Sequence, residues 1–516
     1  MNLINLKKNI FGGLTAAVIA LPLGLAFGVA SGLGAAAGIY GAIILGFIAS
    51  LFGGTPAQIS GPTGPMTVVI ASAVISFHND IQLITSTIIL AGIFQIIFGL
   101  LKIGKFVRYI PYPVISGFMS GIGIIIIILQ INPFLGLDSD ASIIHILISL
   151  SSNISQTNFN ALILAICTLL IMFFTPQKLS KLIPSPLIAL LLLTPISIYY
   201  NLSTPTIGEI PTSLPDIHFP VFDLVHYKMM ISIAFTLAVL GMIDTLLTSI
   251  VADSISKGKH NPNKELMGQG LGNAICGLFG AIPGAGATMR TVINIKSGGN
   301  NKLAGIIHAL ALLIIVLFLA PIASQIPMAI LAGILIKVGI DILDYRFLLI
   351  WKEAPRHDLS IMLLVFFVTV FIDLITAVGL GIVLASFLIV YRITKEAHIV
   401  LDNHVDKTDY HLDDKTRLLK INGAFFFGSS TILQRETNAI LDTKRFIIDI
   451  SDIPFIDITG IFTLKDLISS LKQDGIKVII IAKATDKKQL LLLNKSGVFN
   501  NVDFYAHLKE VEKKAA

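Results

Sequence analysis

Long apolar runs separated by short polar stretches dominate the chain up to residue 394. A helix needs about 20 mostly apolar residues to cross the hydrocarbon core of a bilayer. On that criterion the pattern predicts fourteen membrane segments, several shorter than a full crossing and the sixth containing one long or broken span: 11–30, 34–52, 63–77, 83–101, 112–131, 143–174, 187–200, 229–252, 266–282, 287–295, 303–324, 327–343, 359–373 and 375–392. The chain is therefore predicted to be a polytopic α-helical membrane protein.

The pattern changes after residue 394. Residues 395–415 are charged and show no apolar period, which predicts a linker. Residues 416–516 contain the short β-branched runs RFIIDIS and KVIIIAK, each followed by an amphipathic helical pattern. Alternating strands and helices predict a small α/β domain. The predicted organisation is thus a transport domain at 1–394, a linker, and a soluble domain at 416–516.

Charge placement predicts the orientation of the segments. Only 13% of the 516 residues are charged, against roughly 25% in soluble proteins. Basic residues follow the even-numbered segments except the second, as with Lys102 after the fourth and Lys257 after the eighth, whereas the odd-numbered exits carry acids or nothing apart from Lys228. The positive-inside rule then places both termini and the α/β domain on the cytoplasmic side of the cell (inner) membrane. The net charge of +6 fits this side preference and does not indicate nucleic acid.

Enzyme chemistry has no signature in the chain. Cys167 and Cys276 both lie in apolar runs, so they indicate neither a disulfide framework nor a metal cluster. The sequence contains no Walker loop and no nucleophile triad. We therefore expect no enzymatic activity and no organic cofactor.

Two sequence patterns recur in the second half of the membrane part. The spacing P-x5-G-x5-G begins at Pro111 and again at Pro327, an offset of 216 residues. PTGPMTVVI matches GATMRTVI with Thr67 opposite Thr291, an offset of 224. Chance similarity of glycine-rich segments is the alternative, but the near-equal offsets argue against it. An offset of seven segments, an odd number, places the two halves in opposite orientations, so the pattern predicts a 7+7 inverted repeat.

The third and tenth segments are partners in this repeat, and both have a Gly/Pro-rich approach. SGPTGPM, at 60–66, lies inside a run without Asp, Glu, Lys or Arg that extends from residue 9 to 79. Broken backbone at membrane depth is tolerated where protein or a water-filled cavity covers it. We predict two half-helices whose N-termini face each other near the midplane and form an anion site. Ordinary kinked helices packed through glycine are the alternative.

Asp244 is a candidate site residue because it is the only charge between Met229 and Ala252. A carboxylate at membrane depth costs several kcal/mol unless it is paired. Asp244 and Thr248 are at positions i and i+4, on one helix face, and their hard oxygens suit sodium or a proton. The alternative is a structural ion pair with a neighbouring helix, for which Arg290 is the named partner.

The stretches ISGPTGPM, PYPVISGFMSGIG, DTLLTSIVADSISKGKHNPNKELMGQGLGN and PGAGATMRTVINIKSGG resemble the SulP (sulfate permease) family of anion transporters. The resemblance covers nearly the whole chain, including a C-terminal STAS domain, and is strongest to the BicA-type bicarbonate transporters. It implies fourteen segments divided into core and gate domains, a homodimer, and an elevator-like movement of the core.

The resemblance also implies residue roles. The substrate-binding residues that it implies, together with Arg290, are Thr63, Gly64, Met66, Ala287, Thr288 and Met289. The sodium site that it implies comprises Asp244, Thr248, Gly286 and Thr288. Arg290 departs from the BicA-type pattern, although other SulP members have a basic residue there. Its charge can support the anion or pair with Asp244, and it favours proton coupling, uncoupled exchange or a divalent anion.

The soluble domain contains FIDITGIFTLKDL, which resembles the STAS signature. In related anti-sigma antagonists a Ser or Thr of this loop is phosphorylated, and Thr459 occupies that position. The alternative is a plain helix cap by Asp457 or Thr459. Elsewhere, Glu265 is expected to cap or orient a helix start and Lys337 to snorkel.

The leading functional prediction is a secondary active transporter that moves bicarbonate or sulfate, with sodium or a proton as the coupling ion. Three alternatives stay open: an uncoupled anion exchanger or channel, a dicarboxylate transporter, and a membrane-tethered STAS sensor. The expected partners are a small inorganic anion, the lipid bilayer and a second copy of the chain.

Overall fold

The computed structural model describes residues 3–105, 110–139, 142–176, 179, 183–208, 215–221, 225–350, 352–372, 374–402, 415–430, 433, 443–482, 487–498 and 502–505. The chain divides into two compact units, residues 1–382 and 383–516.

The first unit is built from helices and one short strand pair. Its elements are α1 (Leu3–Ala30), α2 (Ala35–Phe52), β1 (Ser60–Gly61), α3 (Gly64–Ser76), α4 (Ile81–Leu100), α5 (Tyr112–Leu129), α6 (Ile131–Phe134), α7 (Ile143–Ile148), α8 (Leu150–Ser155), α9 (Phe159–Phe174), α10 (Ser185–Tyr199), α11 (Tyr227–Ser256), α12 (Pro262–Leu278), β2 (Ala285–Gly286), α13 (Thr288–Lys296), α14 (Lys302–Ala323), α15 (Met328–Ile342), α16 (Tyr345–Leu349) and α17 (Arg356–Phe371). Helix α18 (Leu374–Glu396) continues into the second unit.

The segment at 143–174 was predicted to contain either one long span or one broken span, and the structure shows the broken form. It forms α7, α8 and α9, and the Asn158 side chain caps α9 by accepting from the N–H groups of Asn160 and Ala161. Within the described residues, six helices are long and apolar enough to cross a membrane, and four shorter apolar helices accompany them. The count of fourteen crossings remains a prediction.

The repeated P-x5-G-x5-G spacing corresponds to two equivalent helices in contact. Helix α5 follows Pro111 and α15 follows Pro327, and both prolines are the N-cap residue. A Cβ atom on Gly123 would lie 2.6 Å from the Gly339 carbonyl oxygen, and one on Gly339 would lie 2.8 Å from the Gly123 oxygen. The third positions of the two motifs therefore pack on each other, as expected beside a pseudo-two-fold axis.

The middle glycines of the motifs have equivalent neighbours as well. Gly117 packs against the backbone of Met362 on α17, and Gly333 packs against Thr168 on α9. Helices α17 and α9 thus take the same place against α5 and α15. This reciprocal packing fits the inverted repeat predicted from the sequence.

The helices of the first unit form two packing groups. Helices α1 to α4 and α11 to α14 contact one another and form the core, whereas α5, α9, α10, α15 and α17 contact one another and form the gate. A Cβ atom on Gly64 would lie 2.7 Å from Ile126 of α5 and 3.3 Å from Ile342 of α15. The start of α3 therefore lies where the core meets the gate.

The second unit contains a five-stranded sheet with the order β3-β4-β5-β6-β7. Its elements are β3 (His398–Asp402), β4 (Thr416–Asn422), β5 (Arg445–Asp449), α19 (Ile458–Gln473), β6 (Lys477–Ile481), α20 (Lys487–Lys495) and β7 (Asp503–Tyr505). Strand β3 pairs antiparallel with β4, and the other neighbours are parallel.

Strand β3 corrects part of the predicted linker. The segment 398–402 lies inside 395–415, yet Ile399 and Leu401 pack into the apolar core of the sheet. The apolar run of β3 is only three residues long, from Ile399 to Leu401, and lies in a charged stretch, so the sequence pattern does not distinguish it from a linker. Residues 403–414 of the predicted linker lie outside the described residues.

Candidate functional site

A two-residue antiparallel strand pair lies at the centre of the core. Ser60 pairs with Gly286 and Gly61 with Ala285. Strand β1 leads into α3 and β2 leads into α13, so the two helices leave this pair in opposite directions. We refer to residues 60–61 and 285–286 as the ribbon.

Both helices that leave the ribbon are too short to cross a bilayer. Helix α3 has 13 residues and α13 has 9; these correspond to about 20 Å and about 14 Å, against a hydrocarbon core of about 30 Å. The prediction of two half-helices is confirmed. The ribbon that joins them was not predicted, because a two-residue strand has no periodicity to detect.

The first turns of these helices supply the backbone donors of the candidate anion site. The first-turn N–H groups have no intrahelical acceptor; they belong to Gly64, Met66, Thr288, Met289 and Arg290. Together with the helix dipoles they favour a negatively charged group.

Not every predicted substrate residue can donate to an anion at this point. The Ala287 N–H donates to the Ile59 carbonyl at 2.9 Å, so it is already used. The Met289 side chain is 53% exposed and lines a separate cavity. Thr63 is the N-cap residue of α3, and its buried Oγ1 has no partner among the described residues. Met66 is fully buried behind it.

Three of the four residues predicted to bind a cation come together. Thr248 Oγ1 donates to the Gly286 carbonyl at 2.8 Å and lies 2.6 Å from Thr288 Oγ1. Asp244 is one helical turn earlier on the same face of α11, and its buried Oδ2 has no hydrogen-bond partner among the described residues. The Thr63 hydroxyl lies beside this carboxyl but not in hydrogen-bonding geometry.

This donor set fits a small hard cation. It consists of one carboxylate, two hydroxyl oxygens and one carbonyl oxygen, the oxygen ligands that hard cations prefer. The unpartnered Asp244 Oδ2 is the buried acceptor that such an ion, or a proton, would satisfy.

Arg290 does not pair with Asp244. Its side chain is 1% exposed, and Nη2 donates to the Pro62 carbonyl at 3.2 Å. Nη1 lies close to Gly61 and fills the space that a Cβ atom on that residue would need. Within the part of the chain that the structure describes, Arg290 forms no ion pair with Asp244. The guanidinium therefore lies against β1 at the start of α3, where its charge adds to that of the helix end.

Glu265 is a buried structural residue for which one of the two predicted roles, capping, is wrong. It does not cap α12, whose N-cap is Asn261. Its Oε2 accepts from the N–H groups of Gly54 and Thr55, both at 2.7 Å, and its Oε1 accepts from the side-chain amides of Gln58 and Gln269, both at 2.9 Å. The buried carboxylate thus fastens residues 54–58, which lead into the ribbon, to α12.

Further side chains hold the ribbon from both sides. The Asn273 amide pairs with the N–H and the carbonyl of Gly284, both at 2.9 Å. Thr291 Oγ1 accepts from the Ile59 N–H at 3.0 Å. Glu265, Gln269 and Asn273 are spaced four residues apart on one face of a glycine-rich helix, and this spacing is the signal that could have identified them.

In the second unit, Asp457 caps α19. Its Oδ1 accepts from the Gly460 N–H at 2.7 Å. Thr459 is exposed in the first turn of that helix. Phosphorylation of Thr459 remains a prediction.

Family comparisons agree with this fold. A model described as the sulfate permease family matches residues 6–365, and a STAS domain model matches residues 408–511. The chain therefore belongs to the sulfate permease family and carries a STAS domain. This is a family of multi-pass membrane transporters, which confirms that the chain is not an enzyme.

Individual members of the family show which of them this chain is similar to. The chain is 42% identical over 516 residues to the bicarbonate transporter BicA of Picosynechococcus sp., a match that covers 94% of this chain and 90% of the relative. It is 49% identical to the solved transmembrane domain of a cyanobacterium bicarbonate transporter BicA, with a TM-score of 0.69, covering 73% of this chain and 99% of that one. Murine solute carrier 26 family member A9, an anion transporter solved in the inward-facing state, is 19% identical with a TM-score of 0.87, covering 98% of this chain and 91% of that one, and shares the fold.

Proposed function

We propose that the protein is a secondary active transporter of a small inorganic anion, with bicarbonate as its first substrate and sulfate as the alternative. The observation that carries this proposal is the ribbon, which holds two half-helix N-termini beside an oxygen cluster suited to a cation. The similarity to proteins named bicarbonate transporters supports the choice of anion.

Local charge favours a monovalent over a divalent anion. Asp244 lies beside Thr63 at the start of α3, so a dianion bound there meets more repulsion than a monoanion does. Bicarbonate also carries one hydroxyl that can donate to a carboxylate, whereas sulfate only accepts. Arg290 acts in the opposite direction and keeps sulfate as the alternative.

We propose sodium as the coupling ion and a proton as the alternative. A proton requires only the Asp244 carboxyl, whereas a sodium ion also uses Thr248, Gly286 and Thr288, which already cluster. Because Arg290 is bonded to Pro62 rather than directed at this cluster, its charge is a smaller obstacle to sodium than the sequence suggested. The core group would carry anion and cation together past the gate group in an elevator-type movement.

Uptake of labelled bicarbonate into proteoliposomes tests the proposal. We expect an inward sodium gradient to drive uptake, and Asp244→Asn to abolish gradient-driven uptake while leaving the protein monodisperse. Asp253→Asn is the matched control, since it lies on the same helix but pairs with His260. Uptake that follows a proton gradient would replace sodium by a proton, and uptake indifferent to both gradients would indicate an uncoupled exchanger. Sulfate uptake without bicarbonate uptake would overturn the choice of substrate.

The homodimer and the cytoplasmic position of both termini remain part of this proposal. Residue-specific cross-linking in membranes and protease access to the STAS domain in inside-out vesicles would test them.

A further inference from the structure

The Gln95 side chain of α4 lies at the end of a chain of hydrogen bonds that begins at the ribbon. The Gly284 N–H, just before β2, donates to Asn273 Oδ1 at 2.9 Å, which fixes the orientation of the Asn273 amide. Asn273 Nδ2 donates in turn to Gln95 Oε1 at 2.8 Å. Because the Gln95 oxygen faces α12 in this way, the NH₂ group of Gln95 is directed toward α11.

The NH₂ group of Gln95 is a buried donor beside Gly241 of α11. Its nitrogen fills the space that a Cβ atom on Gly241 would need, and Met66 Cε lies 3.5 Å from the same point. The Gln95 side chain is fully buried, and its Nε2 has no hydrogen-bond partner within the described ranges of the chain. Nearly all buried polar groups in proteins have a partner, so this donor requires an acceptor.

The acceptor that fits is Asp244, one turn after Gly241 on the same helix. Its Oδ2 is the buried, unpartnered acceptor of the cation cluster. Cβ atoms three residues apart on a helix are about 5–6 Å from each other, and helical side chains tilt toward the N-terminus, which brings the carboxylate back over the turn of Gly241. The length of the carboxylate and a hydrogen bond of about 2.9 Å together span this distance. A rotation of the Asp244 side chain is therefore enough to join the donor and the acceptor.

We propose that Gln95 is a positioning residue for Asp244, and that its NH₂ group donates to the carboxylate when no cation is bound there. This inference rests on the cation site and the core movement proposed above. A core that returns across the membrane without its solutes carries Asp244 with it, and a carboxylate at membrane depth costs several kcal/mol unless it is paired. The hydrogen bond from Gln95 lowers this cost in the empty core. The same bond competes with the cation for the carboxylate, so Gln95 also sets the affinity of the cation site.

A double-mutant cycle of melting temperatures in sodium-free buffer tests the contact itself. Gln95→Met keeps the length of the side chain without the donor, and Asp244→Leu keeps the shape without the acceptor; Asn273 retains both of its bonds to Gly284. The double variant should melt about 2–4 °C above the value obtained by adding the two single changes, as expected for one lost hydrogen bond. Gln130→Met, at a buried glutamine of the gate, should combine additively with Asp244→Leu. Additive changes for Gln95→Met as well would overturn the inference.

Sodium binding and transport mode test the functional part. Gln95→Met should lower the sodium concentration for half-maximal thermal stabilisation about 5- to 10-fold, because the competing hydrogen bond is gone. It should slow net uptake, which requires the empty core to return, while exchange of internal for external anion in saturating sodium stays near the wild-type rate. An equal loss of uptake and exchange, or a sodium requirement that does not fall, would contradict the assigned role. If sodium does not stabilise the wild-type protein while the cycle is non-additive, the proposed sodium coupling fails and the contact between Gln95 and Asp244 stands.

Discussion

The Glu265 carboxylate allows a sharp test of what holds the site together. It is buried and accepts four hydrogen bonds, two from the backbone of residues 54–55 and two from the amides of Gln58 and Gln269. Glu265→Leu removes both acceptor oxygens and with them all four hydrogen bonds. Glu265→Gln keeps the shape, and rotation of both partner amides lets its new NH₂ group donate to them.

The Gln variant can be accommodated because the amide oxygens of Gln58 and Gln269 can rotate toward its NH₂ group without losing essential hydrogen bonds. Gln269 Oε1 has no partner among the described residues, so it is available to accept. Gln58 Oε1 accepts from Ser249 Oγ at 2.9 Å, and a hydroxyl can equally accept from the rotated amide. The loss of charge-assisted strength is partly offset by the removal of a buried charge.

The Leu variant takes the acceptor from four N–H groups; those of Thr55, Gln58 and Gln269 are buried, that of Gly54 is half-buried, and the Gln269 amide keeps its second bond, to Ser60 Oγ. A buried donor without an acceptor costs about 1–3 kcal/mol, so four of them set an upper limit of about 4–12 kcal/mol, comparable to the roughly 5–15 kcal/mol that stabilises a typical folded protein. We expect Glu265→Leu to lose the monodisperse peak in fluorescence-detected size-exclusion chromatography after mild heating. Glu265→Gln should stay near the wild type, as should the exposed control Glu353→Gln. A Leu variant as heat-resistant as the wild type would refute the view that this carboxylate fastens the ribbon.

Two further predictions concern the cation cluster and the repeat axis. Thr248→Val should raise the sodium concentration needed for half-maximal uptake about ten-fold, because one hydroxyl ligand is worth about 1–2 kcal/mol. The control Thr236→Val loses only a bond within its own helix and should leave this concentration unchanged. Equal sodium dependence of the wild type and both variants would remove Thr248 from the site. Gly339→Ala should destabilise the protein by about 1–3 kcal/mol through overpacking, since its Cβ would lie 2.8 Å from the Gly123 oxygen. Gly379→Ala is the control in the same melting assay, since a Cβ atom there would have no neighbour within 4 Å. Identical melting curves for Gly339→Ala and the wild type would show that α5 and α15 are not tightly packed at this point.

The sequence revealed the features that depend on local residue patterns. The Gly/Pro-rich approach to α3 and α13, the acid in an uncharged helix and the two proline-glycine motifs are all legible within a few residues. Asp244 and Thr248 could be placed together because helical spacing alone puts them on one face.

The features that the sequence did not reveal depend on partners far apart along the chain. Glu265 binds residues 54–58 from about 210 positions away, and no periodicity reports such a contact. The direction of Met289 depends on where the first turn of α13 begins. The position of Arg290 depends on the room left by Gly61. Each outcome follows from packing that only the folded chain specifies.

The ribbon sets the spacing between the two helix ends by main-chain hydrogen bonds, independently of side-chain size. A side-chain substitution near the bound solute can therefore change the charge, the hydration or the ion coupling of the site. It leaves the distance between the two helix ends constant. Family members that transport larger or smaller solutes should then differ mainly at the apolar gate surface opposite Gly64, which is where efforts to alter substrate size would best begin.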